Sequence, residues 1–291
     1  MRNVYKFSLL LIWVVILNCE TSKKREVSQT ADLAVNNSLK HYNLDKPQKF
    51  NMPESLLEIS GIAFRDQLND TIYAINDEEG KIFRLGWNVR KQLNSKFGKH
   101  GDYEDVSIVG GTAYVLKSNG TLYSFPFDSA NSKKVNEVNE IKNVLPKGEY
   151  EGMYADRLTN SLYVLCKNCS VDHSAGTASG YIIKLDNFPA IMNSFRIDLE
   201  SIADSRKNVK DGLRPSGLAK NPLSGEWYVI SAARKLLIVT DSSWKIKGTF
   251  SLNSNLFNQP EGIAFDKFAN LYISNEGDDI TNGNILRFNR Q

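Results

Sequence analysis

Ser60-Gly61-Ile62-Ala63-Phe64, followed by Thr71-Ile72-Tyr73-Ala74-Ile75-Asn76-Asp77, is a phrase that returns along the chain. A small or acidic start leads into an apolar strand, and a second apolar strand follows and ends in polar residues. The phrase comes back as Glu104-Asp105-Val106-Ser107-Ile108 with Thr112 to Lys117, and as Glu151-Gly152-Met153-Tyr154 with Ser161 to Leu165. It comes back again as Ser216-Gly217-Leu218-Ala219 with Glu226 to Ile230, and as Glu261-Gly262-Ile263-Ala264-Phe265 with Asn270 to Asn275. The spacing is about 45 residues, and once about 65. Short strands repeating at this period mark a β-propeller, because one repeat cannot bury its faces alone and a ring of repeats can.

Each repeat supplies four strands. In the first these are expected near 58–65, 71–76, 81–86 and 91–97. The first two are apolar throughout, as buried inner strands should be. The fourth, Lys91 to Phe97, is polar, as an outer strand should be. The fifth repeat supplies only three strands. Gln48-Lys49-Phe50-Asn51-Met52 precedes the first repeat and belongs to no blade. Its expected place is the outer edge of the last blade, where it removes an exposed edge and closes the ring. The reading is a single all-β propeller of five four-stranded blades. Six blades is the alternative, with a degenerate blade between Asn187 and Asp211.

The start of the chain reads differently. Arg2 and Lys6 bound a short basic start that precedes an apolar run from Phe7 to Leu17, which is short for a membrane span and fits an export segment. Leu17-Asn18-Cys19 resembles a bacterial lipobox, in which the cysteine is acylated. The expected organisation is a lipoprotein signal peptide over 1–19, a flexible tether over 20–45 and the propeller over 46–291. The tether is polar and poor in large apolar residues. This predicts an exported protein of the bacterial cell envelope, lipid-anchored to a membrane through Cys19. An ordinary signal peptide or an uncleaved anchor is the alternative.

The formal net charge is +3, and about +1 without Arg2 and Lys6, with no basic stripe to attract nucleic acid. Cys166 and Cys169 form a C-x-x-C with no second such pair, which argues against a four-thiolate zinc site. A local disulfide or two reduced thiols remain. No phosphate-binding glycine loop and no nucleophile motif occurs in the chain.

In a propeller, the starts of first strands and the ends of second strands meet at one mouth of the central channel. That geometry gathers Glu58, Ser60, Glu104, Asp105, Glu151, Ser216 and Glu261 with Asn76, Asp77, Lys117, Lys167, Asn168, Ser231, Asn275 and Glu276. The longer insertions, Asn168 to Ser179 with Asp172 and His173, and Glu276 to Gly283, fall at the same mouth. Short turns such as Asp266 to Asn270 are expected to close the other. Converging carboxylates repel unless a cation compensates them, and oxygen ligands suit Ca²⁺ or Mg²⁺. The candidate ligand set is Glu104, Glu151, Glu261, Asn275, Glu276 and Asp77. Each acidic residue could instead cap the turn that starts its strand. His100 and His41 read as solvated.

Leu57 to Phe64, Tyr73 to Glu78, Gly80 to Phe83, Gly101 to Val106, Gln259 to Asp266 and Leu271 to Glu276 together resemble the SdiA-regulated domain family. The resemblance implies a bacterial exported or membrane-anchored propeller. Where that family has Glu-Gly in the second blade, this chain has Glu104-Asp105. The Pro260-Glu261-Gly262 phrase is also similar to gluconolactonase-like and strictosidine-synthase-like propellers. Their resemblance implies a Ca²⁺ site, with Glu261, Asn275 and Glu151 as the matching positions.

Two functions follow. One is a tethered binding protein whose mouth takes an envelope protein, peptide, glycan or small molecule. The other is a Ca²⁺-dependent hydrolase of lactonase or phosphoesterase type. The anchor is testable directly: Cys19→Ser should abolish acylation and move the protein from the membrane to the soluble fraction. A variant that stays membrane-bound with an unchanged N-terminal mass would refute the lipoprotein assignment.

Overall fold

The propeller closes on its first strand, β1 (Gln48–Asn51), which pairs antiparallel with the last, β20 (Asn284–Phe288), in the register Gln48 to Arg287 and Asn51 to Asn284. The structure, a computed structural model, describes residues 39–65, 71–86, 91–172, 176–186, 188–203 and 212–291. Blade 1 is β2 (Ile59–Phe64), β3 (Ile72–Asn76), β4 (Glu79–Leu85) and β5 (Leu93–His100). Blade 2 is β6 (Tyr103–Val109), β7 (Thr112–Lys117), β8 (Leu122–Pro126) and β9 (Asn139–Ile141). Blade 3 is β10 (Glu149–Asp156), β11 (Ser161–Asn168), β12 (Thr177–Lys184) and β13 (Ala190–Asp198). Blade 4 is β14 (Gly217–Lys220), β15 (Trp227–Ser231), β16 (Leu236–Thr240) and β17 (Ile246–Ser251). Blade 5 is β18 (Pro260–Phe265), β19 (Leu271–Asn275), β20 and β1. Each blade is one antiparallel four-stranded sheet, and the ring has five. The stretch after Asn187 forms β13 and a short helix, α1 (Glu200–Ala203), and not a sixth sheet among the described residues.

The innermost strands touch in the order β2, β6, β10, β14, β18 and back to β2, so they line the axis. The core lies between the blades. Five apolar clusters fill the five gaps, which is why the inner strands are apolar on both faces rather than alternating. Between blades 3 and 4, Phe195 stacks on Trp244 at 3.6 Å between ring centres, and Trp244 on Trp227 at 4.6 Å.

Residues ahead of Lys46 also pack on the propeller. Leu39 and Tyr42 are buried in the cluster between blades 4 and 5. Tyr42 packs edge-on against Tyr228 and tilted against Phe265. Its hydroxyl donates to Ala269 O (2.6 Å) and accepts from Asn221 Nδ2 (3.1 Å). It thus ties the first-to-second turns of blades 4 and 5 together. The signal and lipobox residues lie outside the described residues. No helix among the described residues is long and apolar enough to cross a membrane.

The closure can be measured by urea unfolding. Deleting residues through Met52 removes the β1 ladder and the Tyr42 anchor together and should lower the midpoint. Tyr42→Ala should cost about 3–5 kcal/mol, as truncation of a buried aromatic does. Tyr42→Phe, which loses only the hydroxyl bridge, should cost about 1 kcal/mol. Midpoints equal to the parent for the deletion would show that β1 does not close the ring.

Candidate functional site

The acidic residues of the repeated phrase sit on bulges. The pairing of first and second strands slips at Ile59/Ile62, Tyr103/Asp105, Tyr150/Gly152 and Pro260/Ile263. A bulge re-aims the side chain it carries. Here it releases Glu104, Glu151 and Glu261 from the alternation that buries their neighbours between blades.

Around this mouth the carboxylates sense one another. Burial pushes Glu104 up to about 8, with Asp102 and Glu261 adding to the shift and Lys167 opposing it. Burial pushes Glu276 up to about 9, reinforced by Glu261, Asp77, Glu58 and Glu104. Asp77 rises to about 7 from burial and the neighbouring Glu58, Glu78 and Asp102. Glu261 rises to about 7 from burial, moderated by Lys167, Gln259 and Lys235. Geometry agrees with these shifts. All four are half-buried, and Asp77 Oδ1 is buried with no hydrogen-bond partner. Gln259 Nε2 donates to Glu276 Oε2.

The cation among them belongs to the protein. Lys167, at the end of β11, donates to the buried carboxylate of Glu151. Lys167 and Glu151 line a cavity of about 580 Å³ together with Arg214, Ser216, Arg234, Lys235, Gln259 and Glu261. Burial lowers the Lys235 ammonium, and its Nζ donates to Asn258 O. A second cavity, of about 270 Å³, shares Lys167 and Arg214 in its lining and is walled also by Cys166, Cys169 and Asp172. Cys166 and Cys169 are joined as a disulfide, one of the two expected outcomes.

Of the expected ligand set, Glu104, Glu151, Glu261, Glu276 and Asp77 belong to one mouth. Asn275 is fully buried at the end of β19, where Nδ2 donates to Asn284 Oδ1 (3.1 Å) and Oδ1, like Asp77 Oδ1, has no hydrogen-bond partner. Asp172 accepts from Thr177 Oγ1, Ser179 Oγ and Ser179 N and so pins the start of β12. His100 is exposed at the end of β5, and His173 lies outside the described residues. Among the described residues no three histidine, cysteine or acidic side chains are grouped closely enough to hold a metal ion. With Lys167 on Glu151, the residues do not form the oxygen cage that Ca²⁺ needs. Arg214, Arg234 and Lys235 are not marked as mouth residues by the repeated phrase. The one signal for them was that Arg234-Lys235 occupies the second-to-third turn, the place of the mouth insertions in other blades.

The far end of the channel is not closed by its turns. A cavity of about 640 Å³ lies there, lined by the ends of the inner strands and by turn residues such as Leu158 and Leu223.

Fold and site together define a five-bladed β-propeller with a charged, partly buried mouth. The chain belongs to the SdiA-regulated family, whose family model matches residues 36–278. A search of curated proteins finds no match. Among solved structures it is similar to the glutaminyl cyclase of Myxococcus xanthus, with TM-score 0.57 and 10% identity, covering 83% of this chain and 93% of that one. It is similar to a luciferin-regenerating enzyme, with TM-score 0.53, 14% identity and coverage of 84% and 95%. It is also similar to a PQQ-bound aldose sugar dehydrogenase from Streptomyces coelicolor, with TM-score 0.53, 10% identity and coverage of 84% and 99%. At these identities the likeness is one of fold.

The raised carboxylates set a pH dependence. Each takes up its proton at higher pH in the fold (about 7 to 9) than in the unfolded chain, at about 4. Their contribution to stability is therefore complete below about pH 4 and is lost as pH rises through about 7 to 9. The melting temperature should fall between pH 5 and pH 9, and Glu276→Gln should reduce the fall and raise the value at pH 9. A wild-type profile that is flat, or that rises, would contradict the placement of these groups.

Proposed function

We propose that this protein is a lipid-anchored, exported propeller of the bacterial cell envelope that binds a charged peptide segment of an envelope partner at its first mouth. One observation supports the reading: the mouth carries both signs of charge, with Glu151, Glu261 and Lys167 where they meet. Glu58, Asp77, Glu104 and Glu276 come from blades 1, 2 and 5, whereas Arg214, Arg234 and Lys235 come from blade 4. A ligand with both a basic group and a carboxylate meets each arc with its opposite charge. Charged groups in a concave site are suited to recognition by a few well-placed polar contacts. Glycans and small polar molecules are the other candidate occupants.

Calorimetry with short arginine-containing peptides tests this. Wild type should bind, and the double variant Glu104→Gln, Glu276→Gln should weaken binding at least tenfold, or about 1.4 kcal/mol. Equal affinity for wild type and variant, or no binding of any charged peptide, would dispose of it.

The second reading is a Ca²⁺-dependent hydrolase acting on lactones or phosphoesters. Carboxylates that hold a proton near neutral pH can act as general acids, which favours it. The metal part has no support from the grouping of side chains. Turnover of chromogenic lactone and phosphoester substrates, with Ca²⁺ and with a chelator, separates the two. Turnover abolished by Glu104→Gln would favour the hydrolase.

A further inference from the structure

The two ends of the propeller differ in a way the mouth does not use. Of the nine large apolar side chains exposed among the described residues, only Val171 and Ile280 lie at the charged mouth. The other seven lie at or near the far end, which makes that end the apolar one. Three of them sit at the tips of consecutive first-to-second turns in blades 3, 4 and 5: Leu158 (94% exposed), Leu223 (59%) and Phe268 (54%). Phe188 (89%) is on the third-to-fourth turn of blade 3, beside the Leu158 turn, because Asn160 Nδ2 donates to Leu185 O and Lys184 Nζ to Thr159 O. Leu158 and Leu223 flank one channel opening. Apolar side chains gathered on one surface mark a contact surface, whereas scattered ones need no explanation.

Cations accompany these tips. Arg157 adjoins Leu158, Lys267 lies over the Phe268 ring at 5.0 Å, and Lys245 is exposed on a neighbouring turn of blade 4. Apolar tips with basic neighbours match an anionic lipid surface, which takes the first into its acyl boundary and attracts the second.

The path of the chain gives the reason to choose a membrane as the occupant. The described chain enters the propeller at Leu39 on this end. Tyr42 bonds to Ala269 in the turn that carries Phe268, and to Asn221 in the turn that carries Leu223. Gln291 N donates to His41 O at the same place. Leu39 follows Cys19 by 20 residues, a reach of at most about 70 Å when fully extended. An acyl group on Cys19 therefore keeps a bilayer within reach of this end.

We infer that the far end of the propeller, with Leu158, Leu223, Phe188 and Phe268 at its surface, rests on an anionic lipid bilayer. The charged mouth is then turned away from the membrane toward its ligand. This orientation rests on the anchoring proposed above, so its test is made independent of acylation. Residues 1–19 are replaced by a hexahistidine tag, which holds the chain on phosphatidylcholine–phosphatidylglycerol vesicles containing a nickel-chelating lipid. Single variants Leu158→Cys, Phe268→Cys and Ile280→Cys carry an environment-sensitive dye. Cys166 and Cys169 are bridged to each other, so the introduced thiol is the one labelled.

The result expected is a blue shift and several-fold stronger quenching by nitroxide-labelled lipids at 158 and 268 than at 280. Equal quenching at the three sites, stronger quenching at 280, or solvent-like emission at 158 and 268 overturns the inference and leaves this end free for a protein partner. Acylation of Cys19 is read separately by mass, so the anchor and the orientation fail independently.

Discussion

The close approach of five inner strands around one axis is the constraint on which the rest depends. A methyl group at Gly217 would lie 2.7 Å from Glu261 O, and one at Gly262 would lie 2.6 Å from Ser60 O. At Gly152 it would be 3.1 Å from the backbone of Gly217. Only glycine leaves room for neighbouring backbones at this distance. The residues beside these glycines then stitch blade to blade. Ser60 Oγ donates to Glu104 O (2.6 Å), Ser216 Oγ to Pro260 O (2.7 Å) and Ser274 Oγ to Ser60 O (2.7 Å). These bonds satisfy inner-edge carbonyls that have no further strand to pair with.

The second blade shows how a departure from the phrase is accommodated. Asp105 stands where the other blades have glycine, and its carboxylate lies in the space that Gly61 leaves open. There Oδ2 accepts from Met153 N (2.6 Å) of the third blade, and Oδ1 from its own neighbour Val106 N (2.8 Å). A glycine in one blade thus makes room for a larger residue in the next. The result is a hydrogen bond from blade 2 to blade 3 in place of a bare backbone contact.

The fold was legible because its repeat is local: small or acidic start, apolar strand, turn, apolar strand. The closing strand was legible by elimination, since Gln48 to Met52 had no other partner. What escaped the sequence depends on surfaces that exist only after folding. Leu39 and Tyr42 are single apolar residues in a polar stretch, with no period to mark them, and they are buried because two completed blades offer them a groove. Arg214, Arg234 and Lys235 lie on turns whose direction the sequence does not encode, so the cationic arc stayed hidden while the acidic one could be read. Lys167 was placed at the mouth from its position at a strand end, but its pairing with Glu151 was not. That pairing supplies one positive charge to the mouth from within the chain.

The repeat also separates what the fold requires from what it tolerates. Ser60 and Ser216 occupy the same place in the phrase as Glu104, Glu151 and Glu261, and both make the bond to the next blade with a neutral hydroxyl. A serine therefore suffices to start an inner strand and hold the ring. Three glutamates there bring repulsion and desolvation that the architecture does not need: burial pushes Glu104 up to about 8 and Glu261 up to about 7, and Glu151 is buried against Lys167. Charges that burden the fold without building it are those to which a ligand can contribute, by supplying the opposite charge that the protein leaves partly unmet. The acidic arc is thus what the proposed binding function accounts for and the architecture alone does not.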